Sequence, residues 1–253
     1  KSNTRLVHVE TPTNPLLELC DLEATAKVCT KADVYLSVDN SFMSPYGQRP
    51  LEFGVDVVMQ SSTKSLSGHS DILGGVLTTN NDDLGEQIRF MLKATGGVPS
   101  PFDNWILLRS VKTLSLRYQK SSENAFKLAQ WLSTDYDLKR VIYPGLESHP
   151  QFEIAKKQQF TPDGNNIFGN MISIDVEKID LRDKFLEKLK VITLAESLGG
   201  VESLCCVPYD MTHAAVPVED KIKMGITETL IRLSIGIENF EDLKADLQNA
   251  LAK

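Results

Sequence analysis

The chain has 253 residues, 42% of them hydrophobic and 24% charged, with a formal net charge of -7. That is enough for one large or two modest domains around a buried core, in the proportions of an ordinary globular protein. The acidic balance argues against a nucleic-acid or anionic-membrane surface. No apolar run approaches the roughly 20 residues of a membrane helix, and Lys1-Ser2-Asn3-Thr4-Arg5 has no signal-peptide pattern.

In chain order, residues 6–9 read as a strand that leads into the Pro-stiffened loop Glu10-Thr11-Pro12-Thr13-Asn14-Pro15, with the Asn14 amide at the strand's exit. Asp21 is positioned to cap a helix that runs to about Lys31, with Leu22, Ala26 and Cys29 on one face. Residues 34–38 form a second strand ending in Asp39-Asn40-Ser41. After a Pro- and Gly-containing loop over 40–50, the apolar run from Val55 reads as a buried parallel strand. It stops abruptly in Ser61-Ser62-Thr63-Lys64. A further strand spans 72–78. Asp82 begins an amphipathic helix with Leu84, Ile88, Met91 and Leu92 on its apolar side. A long helix with a bend or break covers 102–133, in which Lys112 and Arg117 read as solvated. Strands at 138–143, 170–176 and 230–237, with helices at 180–190 and 241–251, predict an α+β layer with a largely antiparallel sheet. The strand–helix–strand order of the first half makes the class α/β.

Cys20, Cys29, Cys205 and Cys206 make no CxxC pair, and free thiols in a reducing compartment are expected. His8, His69, His149 and His213 lack the close spacing of a zinc site, and His213 reads as structural. There is no GxGxxG fingerprint and no GxSxG elbow.

Ligands of open α/β sheets bind beyond the carboxyl ends of the strands. Ser61, Thr63 and Lys64 fall there, and a neighbouring strand would bring Asp39 to the same edge. Hydroxyls can hold a phosphate, a lysine drawn out of water can attack a carbonyl, and a carboxylate can keep a pyridine nitrogen protonated. Together these are the requirements of pyridoxal phosphate. A structural Asp39–Lys64 ion pair, or a surface lysine in a Ser-rich loop, would use the same residues without that chemistry.

Several motifs in order sharpen the choice. Glu10-Thr11-Pro12-Thr13-Asn14-Pro15, Val38-Asp39-Asn40-Ser41, Ser61-Ser62-Thr63-Lys64 followed by Gly68-His69-Ser70-Asp71, and Leu230-Ile231-Arg232-Leu233-Ser234-Ile235-Gly236 resemble the trans-sulfuration family of pyridoxal-phosphate enzymes. The resemblance runs from about Val7 to the C-terminus. It implies a fold type I pyridoxal-phosphate-dependent transferase: the C-terminal part of a large mixed-sheet cofactor domain (residues 1–117, incomplete at its N-terminus) and a smaller α+β C-terminal domain (residues 118–253). In that family a substantial N-terminal portion precedes, so the chain is expected to be a fragment or a truncated member.

The resemblance also implies roles. Lys64 would form the Schiff base with the cofactor and act as base at the substrate's Cα. Asp39 would hold the pyridine nitrogen, Ser61 and Thr63 the phosphate, and Asn14 the phenolic oxygen. Arg232, on the strand face opposite Ile231, Leu233 and Ile235, would clamp the substrate carboxylate together with Ser197. An acid at Glu196 resembles the cystathionine γ-lyase and γ-synthase branches. The activity implied is cleavage of the Cγ–S bond of cystathionine, in a cytoplasmic homo-oligomer built as a dimer of dimers. The partner expected is a small amino-acid substrate, with no nucleic acid and no membrane. The rivals are cystathionine γ-synthase and a non-catalytic truncated paralogue serving as a scaffold subunit.

Overall fold

The structure is a computed structural model that describes residues 1 and 3–252. Four strands make the first sheet: β1 (Leu6–Glu10), β2 (Tyr35–Asp39) and β3 (Val57–Ser61) run parallel, and β4 (Gly75–Thr78) pairs antiparallel with β3. Helix α1 (Leu22–Lys31) starts where the Asp21 carboxylate accepts the Ala24 N–H. It lays Leu22, Ala26 and Cys29 against Leu36, Val38 and Val58 on one face of the sheet. The strand period of two turns Tyr35 and Ser37 to the other face, where Tyr35 is exposed.

The segment between β2 and β3, read from sequence as a loop, contains the short helix α2 (Ser44–Gly47) and a 3₁₀ turn over Pro50–Phe53. The buried Asn40 amide holds it by donating to the carbonyls of Ser44 and Gln48. Helix α3 (Asp82–Thr95) is capped by Asn81 and ends at Gly96 in the left-handed region. None of its residues is fully buried, and Phe90 and Met91 are exposed. The long predicted helix is two, α4 (Pro101–Ser110) and α5 (Leu114–Asp135), parted by a 3₁₀ turn over Val111–Thr113.

One expectation is overturned within this pair. Lys112 is exposed, but Arg117 is 8% exposed and points inward. Its guanidinium donates to the carbonyls of Ser65, Leu66 and Ser110 and to Thr113 Oγ1. The reason is the break in the helix. It leaves the Ser110 carbonyl without a continuing helix, and a cation with a forked donor set can satisfy it.

The second sheet has the order β5-β6-β9-β8-β7: β5 (Arg140–Ile142), β6 (Met171–Asp175), β7 (Thr193–Leu194), β8 (Leu204–Cys206) and β9 (Leu230–Ser234). It is antiparallel except where β7 and β8 run parallel. Around it lie α6 (Phe152–Gln158), α7 (Ile179–Lys188), α8 (Val218–Met224) and α9 (Phe240–Leu251). Leu128 and Leu132 of α5, Ile172 and Ile174 of β6, and Ile231 and Leu233 of β9 meet Leu243 and Leu247 of α9 in the main core. The strand predicted over 230–237 ends at Ser234. Beyond it Gly236 lies so close to the Val201 carbonyl that no Cβ fits. Among the described residues no helix is long and apolar enough to cross a membrane, and no cluster of His, Cys, Asp or Glu could hold a metal ion.

Candidate active site

Asp39 ends β2 and Ser61 ends β3, and the two strands are parallel neighbours. Their carboxyl ends therefore open on the same side. The chain leaves β3 directly into a five-residue π-turn, Ser62–Leu66, with Lys64 at its centre in a non-helical conformation (φ -90°, ψ -134°). That departure from helix geometry turns Lys64 toward a cavity of about 250 Å³. Asp39, Ser61 and Lys64 line it from the first sheet; Glu196, Ser197 and Arg232 line it from the second.

Lys64 is half-buried and its Nζ donates to Ser197 Oγ at 3.1 Å. Burial holds its pKa below the ordinary lysine value, the Arg232 charge pushes the same way, and Glu196 opposes. A larger share of neutral amine follows, the form needed for attack or proton abstraction. Among the described residues no ion pair joins Lys64 to Asp39. One Asp39 oxygen accepts the Ser41 N–H, and Ser41 Oγ in turn accepts the Ser61 N–H, so the ends of β2 and β3 are tied through side chains.

Arg232 is 2% exposed. Its Nη1 donates to Asn14 Oδ1 at 2.9 Å and its Nη2 to the Ser197 carbonyl at 2.9 Å, while its buried Nε has no partner among the described residues. An unmatched donor on a buried guanidinium suits an incoming carboxylate. Ser197 (φ +97°) is bent into the left-handed region between these contacts. Its hydroxyl meets the lysine and its carbonyl the arginine. Glu196 beside it is exposed at the rim.

Two of the predicted residues stand differently. Thr63 does not line the cavity; its hydroxyl accepts the Gly74 N–H at 3.1 Å and keeps its own O–H free to donate. Asn14 lines the cavity, but its carbonyl oxygen is already engaged by Arg232, which leaves only its amide nitrogen to donate. Sequence reasoning missed Glu10, which pairs in register with Asp39 and faces the same space. Burial raises its pKa and the neighbouring Asp39 adds to that, while the Asn14 N–H and Arg232 oppose. Its signal was present, since Glu10 ends its strand as Asp39 ends the next. The donor set as a whole fits pyridoxal phosphate: an amine for its aldehyde, a carboxylate for its pyridine nitrogen, and hydroxyls at a strand end for its phosphate.

Known proteins bear on this arrangement directly. The model of the Cys/Met metabolism PLP-dependent enzymes matches residues 1–252. The chain belongs to this family. Within it, the chain is 50% identical over 251 residues to a cystathionine gamma-lyase of Dictyostelium discoideum, and 47% identical over 253 residues to a cystathionine beta-lyase of Coxiella burnetii. Each match covers 99% of this chain, but only 63% and 64% of the two relatives. The crystal structure of a cystathionine gamma synthase from Xanthomonas oryzae, in complex with aminoacrylate and cysteine, superposes with a TM-score of 0.93 at 42% identity. That match covers 98% of this chain and 62% of the other. The family's fold type I architecture is thus the one seen here, over part of its full length. The three names span lysis on either side of sulfur and the forming of a carbon–sulfur bond. The comparisons therefore fix the trans-sulfuration family of PLP enzymes, and not which of these reactions the chain serves.

Proposed function

We propose that this chain supplies the reactive lysine and the substrate clamp of a carbon–sulfur lyase. The reaction takes cystathionine and water to cysteine, 2-oxobutanoate and ammonia. The observation that carries the reading is the convergence of Lys64, Asp39 and Arg232 on one cavity. Pyridoxal phosphate, when bound, supplies an electron sink for the charge that develops at the substrate's Cα. Asp39 would hold the proton at the ring nitrogen. Ser61, on the cavity wall, would meet the phosphate, with Thr63 behind it bracing the turn through Gly74, and the Asn14 amide nitrogen would meet the phenolic oxygen. Arg232 takes the substrate carboxylate, helped by Ser197, and thereby aims Cα at Lys64. Neutral Lys64 Nζ removes the Cα proton, and burial of the amine favours that state. Glu196 at the rim offers a negative charge to the ammonium at the far end of a substrate that is an amino acid at both ends.

Borohydride reduction in the presence of pyridoxal phosphate, followed by peptide mapping, tests the reading. The expected result is a visible absorbance band lost on reduction, a pyridoxyl adduct on Lys64, and neither in Lys64→Ala. Cystathionine should then yield 2-oxobutanoate. An adduct confined to other lysines overturns the assignment, and no adduct from a folded chain favours the non-catalytic scaffold. The likeness to the Xanthomonas oryzae enzyme supports a second reading, cystathionine γ-synthase. Supplying cystathionine alone, or an activated homoserine ester with cysteine, separates the two by product. The same proposal divides the chain near Arg117, into a cofactor-binding domain over residues 1–117 and a C-terminal α+β domain over 118–253. It makes the whole protein a cytoplasmic homotetramer, to be checked by light scattering.

A further inference from the structure

The π-turn that carries Lys64 is held from behind by one buried side chain. Arg117 Nη1 donates to the Ser65 carbonyl at 2.8 Å, and Nη2 donates to the Leu66 carbonyl at 3.2 Å. These are the two residues that follow Lys64. The other end of the grip is fixed as well: Nη2 also reaches the Ser110 carbonyl at 3.0 Å and Nε reaches Thr113 Oγ1 at 3.0 Å. Gly68 (φ +71°) leaves room for the guanidinium, since a Cβ there would collide with it. Among the described residues no carboxylate pairs with Arg117, whose pKa burial lowers. A buried cation whose partners are three carbonyls and one hydroxyl, all neutral, is costly to keep, and a neutral residue would fill the space more cheaply. What the cation does here is gather acceptors from three places onto one rigid fork: the Ser110 carbonyl of α4, the Thr113 hydroxyl of the 3₁₀ break and the Ser65 and Leu66 carbonyls of the lysine turn.

We infer that Arg117 is a positioning residue: its guanidinium fixes the turn that carries Lys64 and so sets where the Lys64 amine stands in the cavity. The inference rests on the reading of Lys64 as the reactive amine. The route is mechanical, because the charges that face Lys64 come from elsewhere: Glu10 on β1, Asp39 on β2, Glu196 beyond β7 and Arg232 on β9. If the turn loosens, Lys64 moves out of that enclosure and toward water.

The test measures Lys64 without any cofactor. Reductive methylation with formaldehyde and a borohydride reductant, mapped by mass spectrometry across a pH series, gives the midpoint at which Lys64 becomes reactive. The parental chain should show a midpoint below that of its exposed lysines. In Arg117→Lys, which keeps the charge and loses the fork, the midpoint should rise. Each pH unit of rise lowers the reactive fraction about tenfold at a fixed pH below it. Thr113→Val, which removes the Nε partner and that hydroxyl's own bond to the Ser110 carbonyl but keeps both Nη grips on the turn, should shift it the same way by less. Leu233→Ala, destabilised in the other sheet, should leave it unchanged, which separates positioning from loss of stability. Circular dichroism confirms folding, and should Arg117→Lys fail to fold, Thr113→Val decides. Folded variants with the parental midpoint overturn the inference. A lowered parental midpoint that Arg117→Lys raises, with no pyridoxyl adduct on Lys64, would instead sink the cofactor reading and leave Arg117's role standing.

Discussion

The two sheets differ in how they are covered. In the second, every residue of β6 and of β9 is buried, because helices close one face and the loops around the site close the other. In the first, β2 alternates: Leu36 and Val38 are fully buried, Tyr35 is exposed, and Ser37 and Asp39 are in between. A largely parallel sheet ordinarily has both faces covered; in the part of the family's length that this chain spans, α1 covers one of them. The contrast separates two jobs. The second sheet supplies a buried frame from which Arg232 and Ser197 reach out. The first offers its carboxyl edge, where Glu10, Asp39 and Ser61 end their strands, to a ligand.

The largest expected effect tests that contrast in the cores. Leu233→Ala, in the main core of the second sheet, should cost about 4 kcal/mol in urea unfolding. Leu36→Ala, equally buried but in the smaller cluster under α1, should cost about 2 kcal/mol because fewer neighbours hold the space open. Equal costs would break the comparison.

Next comes Asp246, 6% exposed on α9, which accepts the N–H groups of Lys190, Val191 and Ile192 just before β7. Asp246→Ala leaves those donors unmatched and should cost about 3 kcal/mol. It should also loosen the segment that leads to Glu196 and Ser197, read as a higher KM for substrate. A lost Tm with an unchanged KM would confine Asp246 to the frame.

The smallest effect concerns the open carboxyl edge of the first sheet. The Glu10 pKa is raised in the fold above its usual 4.5, chiefly by burial. Its protonated form is therefore favoured by folding. That contribution is fully present below pH 4.5 and lost as pH rises through the folded value. Glu10→Gln should raise Tm at pH 7 relative to the parent and make little difference at pH 4. Heat denaturation at the two pH values checks the sign, and a Tm lowered at pH 7 would mean that the charged form of Glu10 is held favourably.

Local physics is what the sequence by itself determined. The Asp21 cap, the strand that stops short of Lys64, the presence of a bend or break within the helical stretch 102–133 and the face of β9 that carries Arg232 depend on neighbours a few residues away, and all were legible. So was the family, because its motifs are short and contiguous. Short elements were not: β8 has three residues and α8 seven, too few for a period to show. What only the tertiary structure decided are partnerships across the chain. Arg232 meets Asn14 across 218 positions, and Arg117 meets Ser65 across 52. An arginine on a helix reads as solvated by default, since water is its cheapest partner. Only when the Lys64 turn and the broken end of α4 arrive together do enough carbonyls gather to hold Arg117 inside.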